Sequence, residues 1–315
     1  MIVYNSKNWG LVVKSLLGFG YAYNVRELIK IQAVILSYSL VVVYLRLHVF
    51  NDVKKYPIEL NVTFLSLIGV IMGLTLVFRT NSSYDRWWEG RKLWGALINE
   101  SRTLASNFYS LLPQDYENRH YLAAQIANFA YALQGHLRDA INFDLFDDAG
   151  KPETLEELRQ YKHLPHKIAT NLFTKMEELH KNGKINDADK INLKEQIEQL
   201  INIMGACERI KNSPIPFSHV SFIKSFIIFY CLILPLGMVD TFHYYTIPAV
   251  FLISYALAGV ELISEEIEQP FGTDANDLPL LHISNIIKQN VYEIMQVPLD
   301  KELPQAKQKS GMLLI

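Results

Sequence analysis

The sequence predicts an all-α membrane protein with four transmembrane helices and a helical domain in the cytosol. Half of the 315 residues are hydrophobic and the mean hydropathy is +0.09, which is high for a soluble protein and low for a pure membrane bundle. Residues 61–78 carry no charge and reach about 27 Å as a helix, enough to cross a bilayer. No strand-like alternation of polar and apolar residues persists anywhere, so helices are expected throughout.

Four apolar segments are long enough to be spans, at residues 29–49, 61–78, 220–239 and 246–263. Lys224 and Pro235 interrupt the third segment. A lysine near a helix end extends its amine to water, and a proline is tolerated where neighbours satisfy the freed carbonyl. The second segment ends at Arg79 and is followed by polar and aromatic residues, as expected where a span meets the membrane–water interface.

The distribution of Lys and Arg predicts the orientation of these spans. Residues 240–245, between the third and fourth spans, contain neither, whereas residues 79–219 and both termini contain several. Positively charged segments stay in the cytoplasm, so the middle segment and both termini are expected there. The predicted divisions are residues 1–78 with two spans, 79–219 as the cytosolic domain, 220–263 with two spans, and 264–315 as an acidic junction, a helix and a tail.

The cytosolic domain is predicted to be helical from the spacing of its apolar residues. Helices are expected at residues 87–112, 120–140, 165–181 and 187–209, with a further helix at 280–295 and a loose tail at 298–315. Pro165 suits a first helical turn, and Gly183 separates the two helices around it. Asn186 or Asp187 is expected to cap the second of these helices.

Composition excludes several classes of function. The net charge of −2 implies no nucleic-acid partner. Cys207 and Cys231 show no metal-binding spacing and are interpreted as buried thiols. No P-loop, GxGxxG, HExxH or GxSxG motif is present, so neither an enzyme nor a cofactor is predicted.

A short histidine motif, HLPH, contains His163 and His166. Pro165 breaks the helical spacing between them, and no third metal ligand is evident nearby in the sequence. Both histidines are therefore interpreted as solvated surface residues, and no metal site is predicted.

The second span has the pattern expected of a helix around a central axis. Val70, Leu74 and Phe78 recur every four residues and share one stripe. Gly69 and Gly73 lie on its flank, where small residues let neighbouring helices approach closely. An alternative is that the stripe simply packs inside one subunit. The interiors of the spans lack Asp, Glu and His, which argues against proton-coupled transporters and intramembrane hydrolases, whereas an apolar gate needs no such groups.

An acidic junction follows the fourth span. Its carboxylates lie within seventeen residues and are Glu261, Glu265, Glu266, Glu268, Asp274 and Asp277. Several converging oxygens could hold calcium. The favoured interpretation is instead a charged cytoplasmic vestibule or a contact at a helix end.

The chain resembles the bestrophin family, in its bacterial branch. The matching segments are FRTNSSYDRWWEGRKLWG at 78–95, CERIKNSPIPFSHV at 207–220, LPLGMVD at 234–240 and EEIEQPFGTDANDLPL at 265–280. They occur in the family's order and spacing, and the resemblance covers essentially the whole chain.

This resemblance implies a homopentameric chloride or anion channel in the bacterial inner membrane, conducting small monovalent ions through one pore. The family's membrane neck aligns with Val70, Leu74 and Phe78. Its cytosolic constriction aligns with Ala188, where the family has a larger aliphatic residue, so a neighbour such as Ile185 is an alternative. Residues beyond the neck are expected to hold it in place, namely Arg79, Asn81 and Arg86. The tryptophans expected to anchor the membrane–water interface and the contacts between subunits are Trp87, Trp88 and Trp94.

Two departures from animal relatives affect the expected function. The run of aspartates in their calcium clasp is replaced here by TDAND at 273–277, so calcium gating is not expected. Their necks are also more aromatic, and ring edges can support an anion, whereas Val70 and Leu74 are aliphatic. A sodium-type cation channel is therefore an alternative. A membrane-anchored helical scaffold or signalling protein without a pore is the rival from another class.

Overall fold

The computed structural model describes residues 23–50, 62–150, 152–274 and 276–299, together with 308–309 and 312–313. Its helices are α1 (Tyr23–Tyr44), α2 (Val62–Leu111), α3 (Tyr116–Leu137), α4 (Pro152–Arg159), α5 (Leu164–Lys181), α6 (Asp187–Asn212), α7 (Phe217–Phe242), α8 (Thr246–Glu268) and α9 (Leu280–Ile294). Shorter turns are the π-helical Leu45–Val49 and the 3₁₀-helical Phe143–Leu145 and His243–Tyr245. The helical prediction is confirmed.

Two-residue strands occur in the segment predicted as a loose tail. β1 (Gln308–Lys309) pairs with β2 (Met312–Leu313) in antiparallel orientation. Helix α4 was also not predicted from the sequence.

Helix α2 is a single helix of 50 residues, whereas the sequence predicted a span and then a separate helix. The polar residues after the span do not interrupt it. The hydroxyls of Thr80 and Ser82 donate to the carbonyls of Leu76 and Phe78, at 2.9 and 3.0 Å. Because these side chains bond to their own helix and no proline intervenes before Pro113, the backbone continues unbroken into the polar segment.

Three helical stretches of the described chain are long and apolar enough to cross a membrane, at Val25–Val49, Val62–Leu111 and Phe217–Glu268. The last stretch holds two helices, α7 and α8, joined by the 3₁₀ turn at His243–Tyr245. Lys224 near the start of α7 contacts Glu265 near the end of α8 at 2.9 Å, so these helices run antiparallel. The chain is a helical membrane protein.

The chain divides into two compact units. The first contains Trp88–Ser213 and the described residues from Pro270 onward, and the second contains the described residues up to Trp87 and Pro214–Gln269. The sequence predicted boundaries at residues 78, 219 and 263. The observed boundaries lie about nine residues after the first, six residues before the second and six residues after the third. The ends of the apolar spans therefore do not mark the edges of the units, since the polar residues 79–87 and 264–269 belong to the same unit as the spans.

The second unit packs α1, the first half of α2, α7 and α8 around an apolar core. The core residues are Met72, Leu76, Ile223, Ile227, Tyr230, Cys231, Leu234 and Val250. Polar contacts also join these elements. Arg46, in the π-helical turn after α1, pairs with Asp240 of α7 at 2.7 Å, and the Ser254 hydroxyl of α8 donates to Gln32 of α1 at 2.9 Å. Each of these buried donors has its partner, as a low-dielectric interior requires.

The first unit packs α5, α6 and α9 around α3, whose residues between Leu122 and Leu133 are all buried. The predicted helix signals between α5 and α6 are confirmed. Pro165 lies in the first turn of α5, and Gly183 has a φ of 68° just after its end. Asn186 caps α6, with its side chain accepting from the Asp189 N–H and the Asp189 side chain accepting in return.

Candidate functional site

The apolar half of α2 has a buried face and an exposed face. Leu65, Met72 and Leu76 are buried in the second unit. On the other side, Val70, Leu74 and Phe78 are 61%, 57% and 68% exposed. The alternative that this stripe packs inside its own subunit is therefore not what the structure shows.

The exposed face is wider than one stripe. At 100° per residue, the exposed positions between Val62 and Asn81 cover about half of the helix circumference. Val70 and Leu74 lie near its centre, and Phe78 lies on the same face one turn further along. Successive side chains in this series are about 6 Å apart along the helix axis.

The two glycines of α2 have different surroundings. A Cβ on Gly69 would lie 2.6 Å from the hydroxyl oxygen of Tyr230, so Gly69 lets α7 approach within the subunit. That hydroxyl donates to the carbonyl of Leu65 at 3.2 Å. A Cβ on Gly73 would meet nothing within 4 Å in the described part of the chain. Gly69 therefore serves packing within one subunit, and Gly73 leaves an open position on the helix.

Arg79 lies where the apolar stretch ends, on the buried face opposite the stripe. Its side chain is completely buried and its Nη2 donates to Glu268 Oε2 at 2.7 Å. Its Nε lies 3.6 Å from Glu261 Oε1, and its Nη1 donates to the Ser83 hydroxyl at 3.1 Å. Glu261 and Glu268 are seven residues apart and share a face of α8, so one guanidinium joins α2 to two turns of α8.

Two further polar contacts join α2 to α8 at this level. Arg86 Nε donates to the backbone carbonyl of Glu268 at 3.0 Å. The hydroxyls of Thr80 and Ser264 are 2.8 Å apart. Asn81, by contrast, is exposed on the side of the stripe. The cationic side chains here are thus engaged with α8 and point away from the stripe.

The three tryptophans do not share one environment. Trp87 is half-buried and stacks on Tyr84 with ring centroids 6.3 Å apart, and Trp88 is exposed. Trp94 is completely buried by its own chain. The prediction that Trp94 anchors an interface or a subunit contact is therefore wrong, because its ring is already enclosed by its own chain.

The residues predicted for a cytosolic constriction also differ from one another. Ala188 is exposed in the first turn of α6, and Ile185 is buried. Ile185 therefore cannot line a passage, and that alternative is wrong. Ile191, one turn after Ala188 on the same face, is 70% exposed and is a large aliphatic residue.

The carboxylates of the acidic junction are divided between the two units. Within the second unit, Glu261 and Glu268 face Arg79, and Glu265 pairs with Lys224. Glu266 is half-buried on the same helix.

Within the first unit, Asp277 is buried and its Oδ2 accepts from the backbone N–H of Asp274 at 2.6 Å. Burial lowers the pKa of the nearby Arg138 guanidinium, and the charge of Asp277 opposes that shift. These contacts fit helix-end and turn roles.

A comparison with known families identifies the chain. The family described as bacterial and fungal bestrophin protein matches residues 5–293. The chain belongs to the bestrophin family. The resemblance of its motifs is thereby confirmed.

Named relatives cover most of this bestrophin. A voltage-dependent anion channel-forming protein of Nostoc sp. is 33% identical over 245 residues, which cover 76% of this chain and 80% of the relative. The voltage-dependent anion channel-forming protein YneE of Escherichia coli is 32% identical over 239 residues, covering 76% and 77%.

A solved structure shares the fold. The crystal structure of a bacterial bestrophin homolog from Klebsiella pneumoniae matches with a TM-score of 0.80 at 25% identity, and the match covers 86% of this chain and 99% of that chain.

Several residues at the candidate sites of this bestrophin lie outside the motifs that the sequence analysis used. Tyr230, Ser264 and Ile191 carry no motif, and each matters through a contact or an exposure that only the packed helices define. Ile191 alone could be suspected from the sequence, as a bulky apolar residue in a polar stretch.

Proposed function

We propose that this chain forms a passive anion channel, assembled as a homopentamer around one pore. Val70, Leu74 and Phe78 of each copy form three successive apolar rings at the membrane neck. Membership of the bestrophin family and the names of the relatives, which are called anion channel-forming proteins, support this proposal. The chain has no enzymatic role in it.

Four helices cross the bacterial inner membrane in this proposal, namely α1, the apolar half of α2, α7 and α8. Residues 240–245, which lack Lys and Arg, face the periplasm. The polar segment from Arg79 to His219 and both termini lie in the cytoplasm, in line with the distribution of positive charge.

The observation that carries the proposal is the exposed apolar face of α2. Its opposite face is fixed by Tyr230 and Arg79, so the stripe has a defined direction. The exposed face covers about half of the helix circumference. Its centre can therefore face the pore axis while its two edges contact the neighbouring copies, and Gly73 leaves room at one edge. Apolar rings at such a neck would shed water and block ions until the helices move slightly apart.

A second, cytosolic constriction is proposed at the start of α6. Ala188 is the aligned position, but Ile191 supplies the aliphatic bulk at an exposed site on the same face. We therefore place the narrower ring at Ile191.

The test compares two triple variants in proteoliposomes. Val70→Ala, Leu74→Ala and Phe78→Ala together should raise the chloride flux at least tenfold over the parent protein, because the dry neck is widened. The matched control removes one Val, one Leu and one Phe with similar exposure elsewhere, namely Val34, Leu252 and Phe222, at 70%, 64% and 63%. This control should conduct like the parent protein.

The same preparations report the assembly, since light scattering should give a protein mass five times that of the 36.2-kDa chain. Background flux from both the parent and the neck variant, in intact pentamers, would overturn the channel and favour a scaffold protein. A monomeric particle would overturn the pore as well.

A further inference from the structure

Three potential metal ligands meet in the first unit. His136 lies in the last turn of α3, His163 is the N-cap residue of α5, and Glu208 lies near the end of α6. Their donor atoms all lie within 4.8 Å of one another, and no other group of three such residues occurs within the described chain. The sequence separates them by up to 72 positions. Only His163 of the HLPH motif takes part, and the fold brings its two partners to it.

Both imidazoles are directed at the same carboxylate oxygen. Nε2 of His136 lies 2.8 Å from Glu208 Oε1, and Nε2 of His163 lies 2.7 Å from it. The two rings have centroids 4.6 Å apart and are tilted by 39°. His136 and Glu208 are half-buried and His163 is exposed, so the cluster is open to ions from solution.

A neighbouring lysine holds the backbone of His136 in place. Lys211 donates to the backbone carbonyl of His136 at 2.9 Å and to Asp139 at 2.6 Å, which fixes the end of α3 against α6. The His163 ring is held more loosely, because its Nδ1 accepts from the His166 N–H at 3.4 Å, the long end of the hydrogen-bond range. His163 is therefore the ligand that can adjust.

We propose that His136, His163 and Glu208 form a binding site for a divalent transition metal of the zinc class. Two imidazole nitrogens with one carboxylate are a ligand set that zinc accepts, with a fourth position for water, whereas calcium and magnesium require oxygen ligands. Bound metal takes the place of both Nε2 protons now directed at Glu208, so each neutral ring carries its proton on Nδ1 instead. In His163 this change gives up only the long bond from the His166 N–H.

The spacing of the ligands is close to what such an ion needs. Bonds of about 2.0–2.1 Å in a tetrahedron place two ligand atoms about 3.3 Å apart. The present separations of 2.7 and 2.8 Å must therefore widen by about half an ångström. Rotation of the exposed His163 ring widens its own separation from Glu208, and rotation of the Glu208 carboxylate widens the separation from His136. Bound metal then links α3, α5 and α6.

The experiment measures zinc on the full-length protein, purified in detergent without a polyhistidine tag and stripped with a chelator. After equilibration at micromolar free zinc and desalting, the parent protein should retain one zinc ion per subunit, and its thermal midpoint should rise with zinc. Glu208→Gln keeps both imidazoles and the side-chain size, and should bind zinc at least tenfold more weakly. His136→Ala with His163→Ala should abolish retention.

The matched control is His180→Ala, which removes a histidine paired with Asp187 at 2.9 Å elsewhere in the same unit. It should retain zinc like the parent protein. Failure of the parent protein to retain zinc would overturn the site, as would equal retention by Glu208→Gln, since this variant keeps the local packing. In either case the cluster is a metal-free bridge in which both imidazoles donate to one carboxylate.

Discussion

Arg79 has the most demanding environment of any charged residue described in the second unit. Its guanidinium has no exposure to solvent and is matched by two carboxylates of α8. A buried charge is tolerated only when it is paired. Removing one partner therefore leaves the remaining charges buried and unpaired, which lowers the free energy of unfolding.

Replacing Arg79 with methionine should therefore lower the free energy of unfolding by about 3–5 kcal/mol. Arg209→Met is the control, because Arg209 pairs with Glu89 at 2.5 Å on an exposed surface and should cost at most about 1 kcal/mol. Denaturant unfolding in detergent measures both. Adding Glu268→Gln to Arg79→Met should recover part of the loss. Equal effects of the two arginine variants would show that Arg79 does not hold α2 to α8.

Asp147 makes a comparable set of contacts in the first unit, outside the membrane spans. Burial raises the pKa of Asp147, but hydrogen bonds from the Tyr292 hydroxyl at 2.6 Å and the Ala149 N–H at 2.8 Å stabilise the charged carboxylate and lower the pKa. Positive charge from Lys288 and His120 acts in the same direction, so the pKa lies below its ordinary value.

A lowered pKa in the folded state means that the carboxylate stabilises the fold above its unfolded pKa of about 3.9. That stabilisation is lost as the pH falls through the folded pKa. Asp147→Asn should lower the stability at pH 7 by about 1–3 kcal/mol, and its difference from the parent should shrink below about pH 4. Thermal midpoints between pH 7 and pH 3 measure this. The exposed Asp144→Asn should show no such difference, and a gap for Asp147→Asn that stays constant with pH would contradict the assignment.

At the scale of elements, α2 combines two tasks along one uninterrupted helix. Its buried face meets α7 and α8 closely, and its other face stays exposed over the apolar half. The close approach at Gly69 fixes the rotation of the helix about its axis. That rotation decides which side chains form the stripe.

Gly69→Ala should therefore be destabilising by about 1–3 kcal/mol relative to Gly73→Ala, because its methyl group would lie 2.6 Å from the Tyr230 hydroxyl oxygen. Gly73→Ala meets open space and gains helix propensity. In a Tyr230→Phe background the obstructing oxygen is absent, so most of the Gly69→Ala cost should vanish. A double-mutant cycle of unfolding free energies measures this coupling. Simple additivity would show that Gly69 is not a contact for α7.

At the scale of the whole molecule, the proposed pore has an unusual neck for an anion pathway. Two of its three rings would be aliphatic and only Phe78 aromatic. The positive edge of an aromatic ring can support a partly dehydrated anion, which Val and Leu side chains cannot do. We therefore expect the charge selectivity of the proposed pore to depend on which side chains form its rings.

Leu74→Phe should shift the reversal potential in a salt gradient across a planar bilayer towards the chloride equilibrium potential. The physical reason is a second ring of aromatic edges around the axis. Leu252→Phe, at an exposed position of α8, should leave the potential unchanged. A parent potential on the cation side would favour the sodium-type alternative, and no shift on Leu74→Phe would remove the aromatic-edge explanation.

The sequence by itself determined where the chain is apolar, where some of its helices begin or end, and which family it belongs to. These properties are local or summed along the chain: a run of uncharged residues prefers lipid, and Pro165, Gly183 and Asn186 set helix ends through their own backbone chemistry. The order of the motifs along the chain identified the family, and reading that order requires no knowledge of contacts between residues. The continuity of α2 was the main local error, because polar residues suggested a break that hydrogen bonds within the helix prevent.

The tertiary structure alone decided which side chains meet. Arg79 and Glu268 are 189 residues apart, and His136, His163 and Glu208 come from three helices. Trp94 and Ile185 look like surface candidates in the sequence but are enclosed by their own chain, and Ile191 is exposed. Contacts between helices depend on how whole faces pack, and hydropathy along the chain carries no information about rotation or approach.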